Sequence, residues 1–382
     1  MKQTERVKKE PLFHIVKRDT ISTKKKAVFY AGAILIGLIL GAIICSLFST
    51  KNPIQFFGAL FSGALGTVRR IWLLLQETAL LLGVSLALAP AFKMKFWNLG
   101  GNGQILVGCL SYVATMFYLG GKFPNFVVML LGLIFGILAG IIWALIPAVF
   151  KAFFNTNETL FTLMMNYIAS GLVTTFITIW VKTGSGVLTP INKGNIPDIG
   201  NRYLLTILVF FLLAGAMYAY LKYSKQGYEI SVVGESNNTA KYIGINVRRV
   251  IIRTMIISGA IAGLVGAFIA GAIDHTVSTT SASNMGFTAI MTAWLATFNP
   301  LIMIASCFFI TFISKGMTQV RKDFKFTNDA ISNIVIGIVY FTVIAVTFFL
   351  SYKVVFREDA FIKIKRIFAK KKKTTDEKED TI

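Results

Sequence analysis

Apolar runs, nearly all of them uncharged, alternate with short polar breaks along almost the whole chain. Runs at 27–50, 71–89, 105–119, 126–150, 159–181, 203–221, 254–273 and 330–352 have lengths that suit helices crossing a hydrocarbon layer. From Thr276 to Ser314 there is no Lys, Arg, Asp or Glu, and Asn299-Pro300 divides this stretch into two further short spans. The pattern predicts an all-α polytopic membrane protein with about ten transmembrane helices. Pro53 to Arg70 differs: Ile54, Phe57, Phe61, Ala64 or Leu65, and Val68 recur at helical spacing, which fits a helix lying in the interface or a short core helix. Small residues add packing information. Gly132, Gly136 and Gly140 fall on one face of the fourth span, before a Pro147 expected to end or kink it. Gly259, Gly263, Ala267 and Gly271 form one ladder of the seventh span, and Ser258, Ala262, Gly266 and Ala270 form another. A helix able to pack closely on two sides belongs at the centre of a bundle.

Composition agrees, with 55% hydrophobic and 15% charged residues among 382, against about 25% charged in soluble domains. The net charge of +22 would suggest nucleic acid in a soluble protein. Here the basic residues crowd the ends and loops, so membrane topology and lipid contact account for them and no nucleic-acid partner is implied. They include Lys8, Lys9, Lys17, Arg18, Lys24 to Lys26, Lys363, Lys365, Arg366 and Lys370 to Lys373. The distribution predicts both termini and residues 222–253 inside, and the Gly/Pro/Asn-rich loop 182–202 outside. Lys315 to Asp329 reads as a polar loop. A single crossing between Gly286 and Ser314 would place the basic tail outside, so two crossings are expected. The resulting layout is a basic tail at 1–26, a transmembrane domain at 27–352 containing the loop 222–253, and a second basic tail at 353–382. Cys45, Cys109 and Cys307 lie singly in apolar segments and imply neither a disulfide framework nor a metal cluster.

The chain holds no P-loop, no zinc-protease pattern and no glycine-rich dinucleotide fingerprint, and its two histidines, His14 and His275, are far apart in sequence. No catalytic constellation is offered, so the reading is a non-catalytic protein. An ion-coupled secondary transporter would carry ionisable groups in mid-span, and Glu77 is the one such group in these spans. Asp274-His275 fits either a proton relay or a solvated loop.

Three polar stretches stand out. At Lys222–Arg253, Gly227 and Gly234 read as breaks. Ser236, Asn237 or Asn238 can cap a helix of one or two turns that ends at Gly244, and Asn246 can cap the next. Ala240, Ile243 and Ile245 give that short helix an apolar surface, and a helix so short needs a partner. A headgroup-binding loop is the simpler alternative. At 96–104, Phe-Trp-Asn-Leu-Gly-Gly-Asn-Gly-Gln abuts a span, as a broken helix beside a solute path or a cytosolic turn would. At 157–167, Glu158, Thr162 and Asn166 form a polar strip at i, i+4, i+8, continued by Ser170, Thr174 and Thr178 as path lining or interhelical glue.

The stretch GYEISVVGESNNTAKYIGINVRR resembles the coupling loop of ABC-importer permease subunits. The similarity is greatest to the nucleoside type, within the wider group that carries branched-chain amino acids and sugars. Its matching residues are Gly227, Glu229, Gly234, Ala240, Gly244 and Ile245. Residues 96–104 resemble that family's F-N-I-G-x-E-G-Q motif, with Trp97 inserted and Asn102 in place of the acid. NETLFTLMMNY resembles its N-E-x-x-x-T-x-M-x-N-Y signature. The resemblance covers about 53–352. It implies an ATPase subunit docked on the coupling helix, with ATP used by that partner and no cofactor on this chain. It also implies a second permease subunit, homologous or identical, an extracytoplasmic substrate-binding lipoprotein, and a place in the cell membrane. The implied cargo is a small neutral solute, most readily a nucleoside, with sugars or branched-chain amino acids as the alternative. Asn98, Asn102, Gln104, Glu158, Thr162 and Asn166 are then the candidates to line or brace the path.

Overall fold

Apolar runs become helices, and side chains of Asn, Ser and Thr mark where several of them begin. The structure, a computed structural model, describes residues 13–17, 22–49, 51–182, 186–328 and 330–356. Their contacts form two units, residues 54–332 and residues 1–53 with 333–382.

The larger unit runs α2 (Pro53–Leu65), α3 (Val68–Lys93), α4 (Gly101–Leu119), α5 (Asn125–Phe154), α6 (Glu158–Trp180), α7 (Leu204–Tyr223), α8 (Lys225–Glu235), α9 (Asn237–Tyr242), α10 (Val247–Phe268), α11 (Met285–Leu295) and α12 (Pro300–Asp323). Thr67, Asn157, Ser224, Ser236, Asn246 and Asn299 each accept a hydrogen bond from a first-turn N–H of the helix that follows. At its far end α10 loosens into a π-helical segment, Ile269–Asp274. Such segments misalign side chains relative to the α repeat and recur at functional sites.

Helix α10 is central, as its two small-residue ladders predict. A Cβ on Gly259 or Gly263 would overlap the carbonyls of Gly140 and Gly136 on α5, and one on Gly266 would overlap the Ile105 carbonyl on α4. Backbones this close leave no room for a methyl group, so dispersion acts between the helices at short range. Tyr112 of α4 closes the seam, its ring against Gly132 and Gly271 and its hydroxyl donating to the Gly194 carbonyl at 3.0 Å. The loop carrying Gly194 is held over the π segment by Ile191 N–H to His275 O (2.8 Å) and Ile196 N–H to Gly271 O (2.9 Å).

The smaller unit pairs α1 (Thr23–Leu47) with α13 (Ala330–Ser351), of which residues 333 onward belong to this unit. Gly37 and Gly41 let Val339 and Val335 approach. Strands β1 (Phe13–Lys17) and β2 (Tyr352–Phe356) pair antiparallel, Phe13 opposite Phe356 and Lys17 opposite Tyr352. The rest of the basic tails, with Lys8, Lys9, Arg18 and the lysines beyond 356, lies outside the described residues.

Eight described helices are long and apolar enough to cross a membrane, and the chain is a polytopic all-α membrane protein. Ten runs are reached when α4 and the short apolar α11 are counted with them. Four local expectations change. Pro147 lies inside α5, which continues to Phe154. Proline removes one hydrogen bond but a long packed helix can absorb the loss. The polar stretch from Lys315 is helical to Asp323 rather than a loop. Gly227 and Gly234 are not breaks, since both lie within α8. Helix α2 is apolar on both faces: Phe56, Leu60 and Gly63 are buried, Gly63 against Gly316 of α12, while of the expected stripe Ile54, Phe61, Leu65 and, at the start of α3, Val68 are exposed, Phe57 is partly buried and Ala64 is buried.

Candidate functional site

The loop between α3 and α4 would carry bare backbone groups into an apolar bundle, and its polar neighbours supply their partners. Asn98 is fully buried, accepts from Gly100 N–H at 3.0 Å and donates to Ser258 Oγ on α10 at 3.2 Å. Thr162 on α6 accepts from Leu99 N–H at 3.1 Å and donates to its own Glu158 carbonyl at 2.7 Å. Asn166, one turn on, accepts from Gly103 N–H at 2.8 Å and donates to Leu99 C=O at 2.9 Å. Asn102 accepts from Gly286 N–H at the start of α11 at 2.8 Å. That contact needs an acceptor and not a charge, which accounts for an amide where the related motif has an acid. Gln104 donates weakly to Asn98 (3.5 Å), and its Oε1 is buried without a partner. Glu158 instead forms an ion pair with Lys151 of α5 at 2.8 Å. The extra residue Trp97 packs between Phe92 and Trp294, with ring centroids 5.6 Å away in each case. Thr174 and Thr178 are exposed and donate to their own helix. Asn98, Asn102, Thr162 and Asn166 therefore brace the start of α4, and none of the six candidates is among the residues lining the cavity described next.

That cavity, about 390 Å³, lies between α3, the end of α10, the loop after it, and α12. Helix α3 contributes Gln76 and Glu77, the π segment contributes Asp274, and α12 contributes Thr311 and Lys315. Arg202, Ser281, Ser283 and Thr288 complete its polar wall, and Leu73, Leu80, Leu81 and Ile310 its apolar one. Glu77 and Lys315 form an ion pair. Gln76 is 3% exposed and Thr311 4%, and the Thr311 hydroxyl has no hydrogen-bond partner among the described residues. Asp274 is thus a wall residue and not part of a solvated loop. Sequence reasoning reached Glu77 and singled out Asp274, as a relay or loop residue, but missed the rest. The available signal was two adjacent polar residues, Gln76-Glu77, deep in an apolar run; Lys315 was hidden by its place beside a polar stretch.

The loop after α7 is more structured than its glycines suggest. Gly227 sits where a Cβ would meet the Leu221 carbonyl at 2.5 Å, and Gly234 lies against the Lys93 carbonyl at the end of α3. Glu229 pairs with Arg253 of α10 at 2.9 Å. Ser236 caps α9, Gly244 takes a left-handed φ of +83°, and Ile245 N–H returns to the Ala240 carbonyl at 2.9 Å. Ala240 does not face outward: it is 0% exposed, because α9 packs on α8 and α10. Ile243 is half exposed and Tyr242 is 93% exposed, so the free apolar surface of this element lies at its end.

Residues 70–344 match the family described as branched-chain amino acid transport system / permease component. The chain is 32% identical over 288 residues to the guanosine ABC transporter permease protein NupP of Bacillus subtilis, covering 72% of this chain and 81% of that protein. It is 27% identical over 343 residues to the nucleoside ABC transporter permease protein NupB of Lactococcus lactis, covering 84% and 89%. Identity is 23% over 299 residues to the probable riboflavin import permease protein RfuC of Treponema pallidum, covering 76% and 78%.

Proposed function

We infer the function from one premise, that the chain belongs to the branched-chain amino acid transport system / permease component family and is a multi-pass membrane permease. We propose that it is the permease subunit of an ABC importer for nucleosides. The observation that carries the choice of cargo is that the relatives matched at 32% and 27% identity are both named for nucleoside transport. The cavity supports it, because 390 Å³ falls within the size of small-ligand sites. Its two carboxylates, Glu77 and Asp274, are balanced by Lys315 and Arg202, which suits a neutral solute.

In this reading an ATPase subunit docks at the end of α9 on Tyr242 and Ile243, rather than on Ala240 as the sequence alone suggests. Its closure shifts the bundle between two access states. ATP is bound by that partner. A second permease subunit and an extracytoplasmic substrate-binding lipoprotein complete the importer, and both termini lie in the cytoplasm. Glu77, the one mid-span charge an ion-coupled transporter could have used, is paired with Lys315.

The test is uptake of labelled guanosine into vesicles holding the assembled transporter, with and without ATP. Uptake should require ATP. Tyr242→Glu should reduce it at least tenfold, by placing a desolvated charge in the docking contact, while the permease remains folded. Uptake that ignores ATP and collapses when an ion gradient is dissipated would establish the secondary-transporter reading instead.

A further inference from the structure

A buried polar side chain normally finds a partner within the protein, so groups left without one in a cavity wall are available to a ligand. Three such groups share this cavity. Gln76 lies on α3, Thr311 on α12 and Asp274 on the π segment of α10. Gln76 and Thr311 are more than nine-tenths buried, and the Thr311 hydroxyl is unpartnered. No hydrogen bond joins the Gln76 amide or the Asp274 carboxylate to any other described residue, whereas the neighbouring carboxylate, Glu77, is taken up by Lys315.

The hydrogen-bonding character of the three is uneven. An ionised carboxylate only accepts, so Asp274 asks for an N–H or O–H donor. An amide and a hydroxyl can each donate, so Gln76 and Thr311 can satisfy a carbonyl oxygen. A ring edge with an N–H beside a C=O meets both demands. Guanine, hypoxanthine and uracil present that lactam edge. Adenine and cytosine do not: each turns a ring nitrogen lone pair outward, which would face the Asp274 carboxylate as like against like.

We propose that Gln76, Asp274 and Thr311 form a base-recognition subsite that selects nucleosides with a lactam edge over those without one. This rests on the nucleoside reading above. The mutually neutralised Glu77 and Lys315 close one side of the subsite.

The experiment is competition against uptake of labelled uridine in the same assembled vesicles. Unlabelled guanosine, inosine and uridine should compete about tenfold better than adenosine or cytidine, the worth of one hydrogen bond to a charged group. 3-Methyluridine, which carries a methyl group in place of the ring N–H hydrogen, should compete about tenfold less well than uridine. Asp274→Asn, which can donate as well as accept, should narrow the gap between uridine and cytidine. Thr311→Val should raise KM several-fold, and Thr311→Ser should restore it. Equal competition by uridine and 3-methyluridine overturns the subsite even if Asp274→Asn fails to assemble. An unchanged ranking in folded Asp274→Asn overturns it as well. In either case the nucleoside reading stands, whereas a wild-type transporter that moves no nucleoside removes both.

Discussion

Polar side chains gather at two places inside the larger helical unit, and they use their hydrogen bonds in opposite ways. Around the 96–104 loop, Asn98, Thr162 and Asn166 are engaged with the backbone of that loop. In the cavity wall, Thr311 is unpartnered and Gln76 binds no described residue. Polarity within an apolar span is therefore not by itself a sign of a solute path. A cluster engaged with the backbone builds the fold even with the Gln104 Oε1 left over, and one without such bonds is left to meet something else.

Asn166 should show the largest effect. Asn166→Leu strands Gly103 N–H and Leu99 C=O together, and at about 1–3 kcal/mol for each buried unpaired group the fold should lose about 2–6 kcal/mol. The thermal midpoint of the purified protein should fall, and uptake should fall in proportion to the folded fraction. A variant that stays folded while its KM rises would move Asn166 from the brace to the path.

Thr162→Val removes the acceptor for Leu99 N–H alone, so a loss of about 1–2 kcal/mol is expected in the same measurement. Thr162→Ser, which keeps the oxygen, should recover most of it.

Gln76→Leu should have the smallest effect on stability, within about 0.5 kcal/mol of wild type or slightly stabilising, because it removes no bond from a described residue and replaces a buried amide by an apolar group of similar length. Its KM for nucleosides should nevertheless rise about tenfold. A drop in stability as large as that of Asn166→Leu would show that Gln76 has a structural partner and would erase the contrast.

Legibility from sequence followed the same division. The two ladders of α10 were readable because glycine and alanine carry their packing consequence in their size, and the Asn and Ser caps because the side chain bonds within its own turn. The positions of Asn98, Thr162 and Asn166 were found, but whether they bind solute or backbone depends on how α6 meets the loop, a distance of more than 60 residues along the chain. The cavity was mostly missed because Gln76, Thr311 and the separately noted Asp274 come from three distant segments, none with its own motif. Helix α8 was obscured by reading Gly227 and Gly234 as flexible, when each is small because another backbone lies against it. Ala240 was assigned outward for want of any local sign that α9 folds back on α8 and α10.

The contact at Gly234 gives α3 a mechanical meaning. Where α8 touches the Lys93 carbonyl, the helix on which α9, ending in Tyr242, packs bears directly on the foot of a 26-residue helix. Gln76 stands 17 residues above that foot, roughly 25 Å along the axis at 1.5 Å per residue. Over such a lever arm, a tilt of about 5° displaces the amide by ~2 Å, enough to make or break a hydrogen bond. A side chain on Gly234 would wedge the foot of the lever open, and the stroke delivered at one end would no longer be set by the push applied at the other.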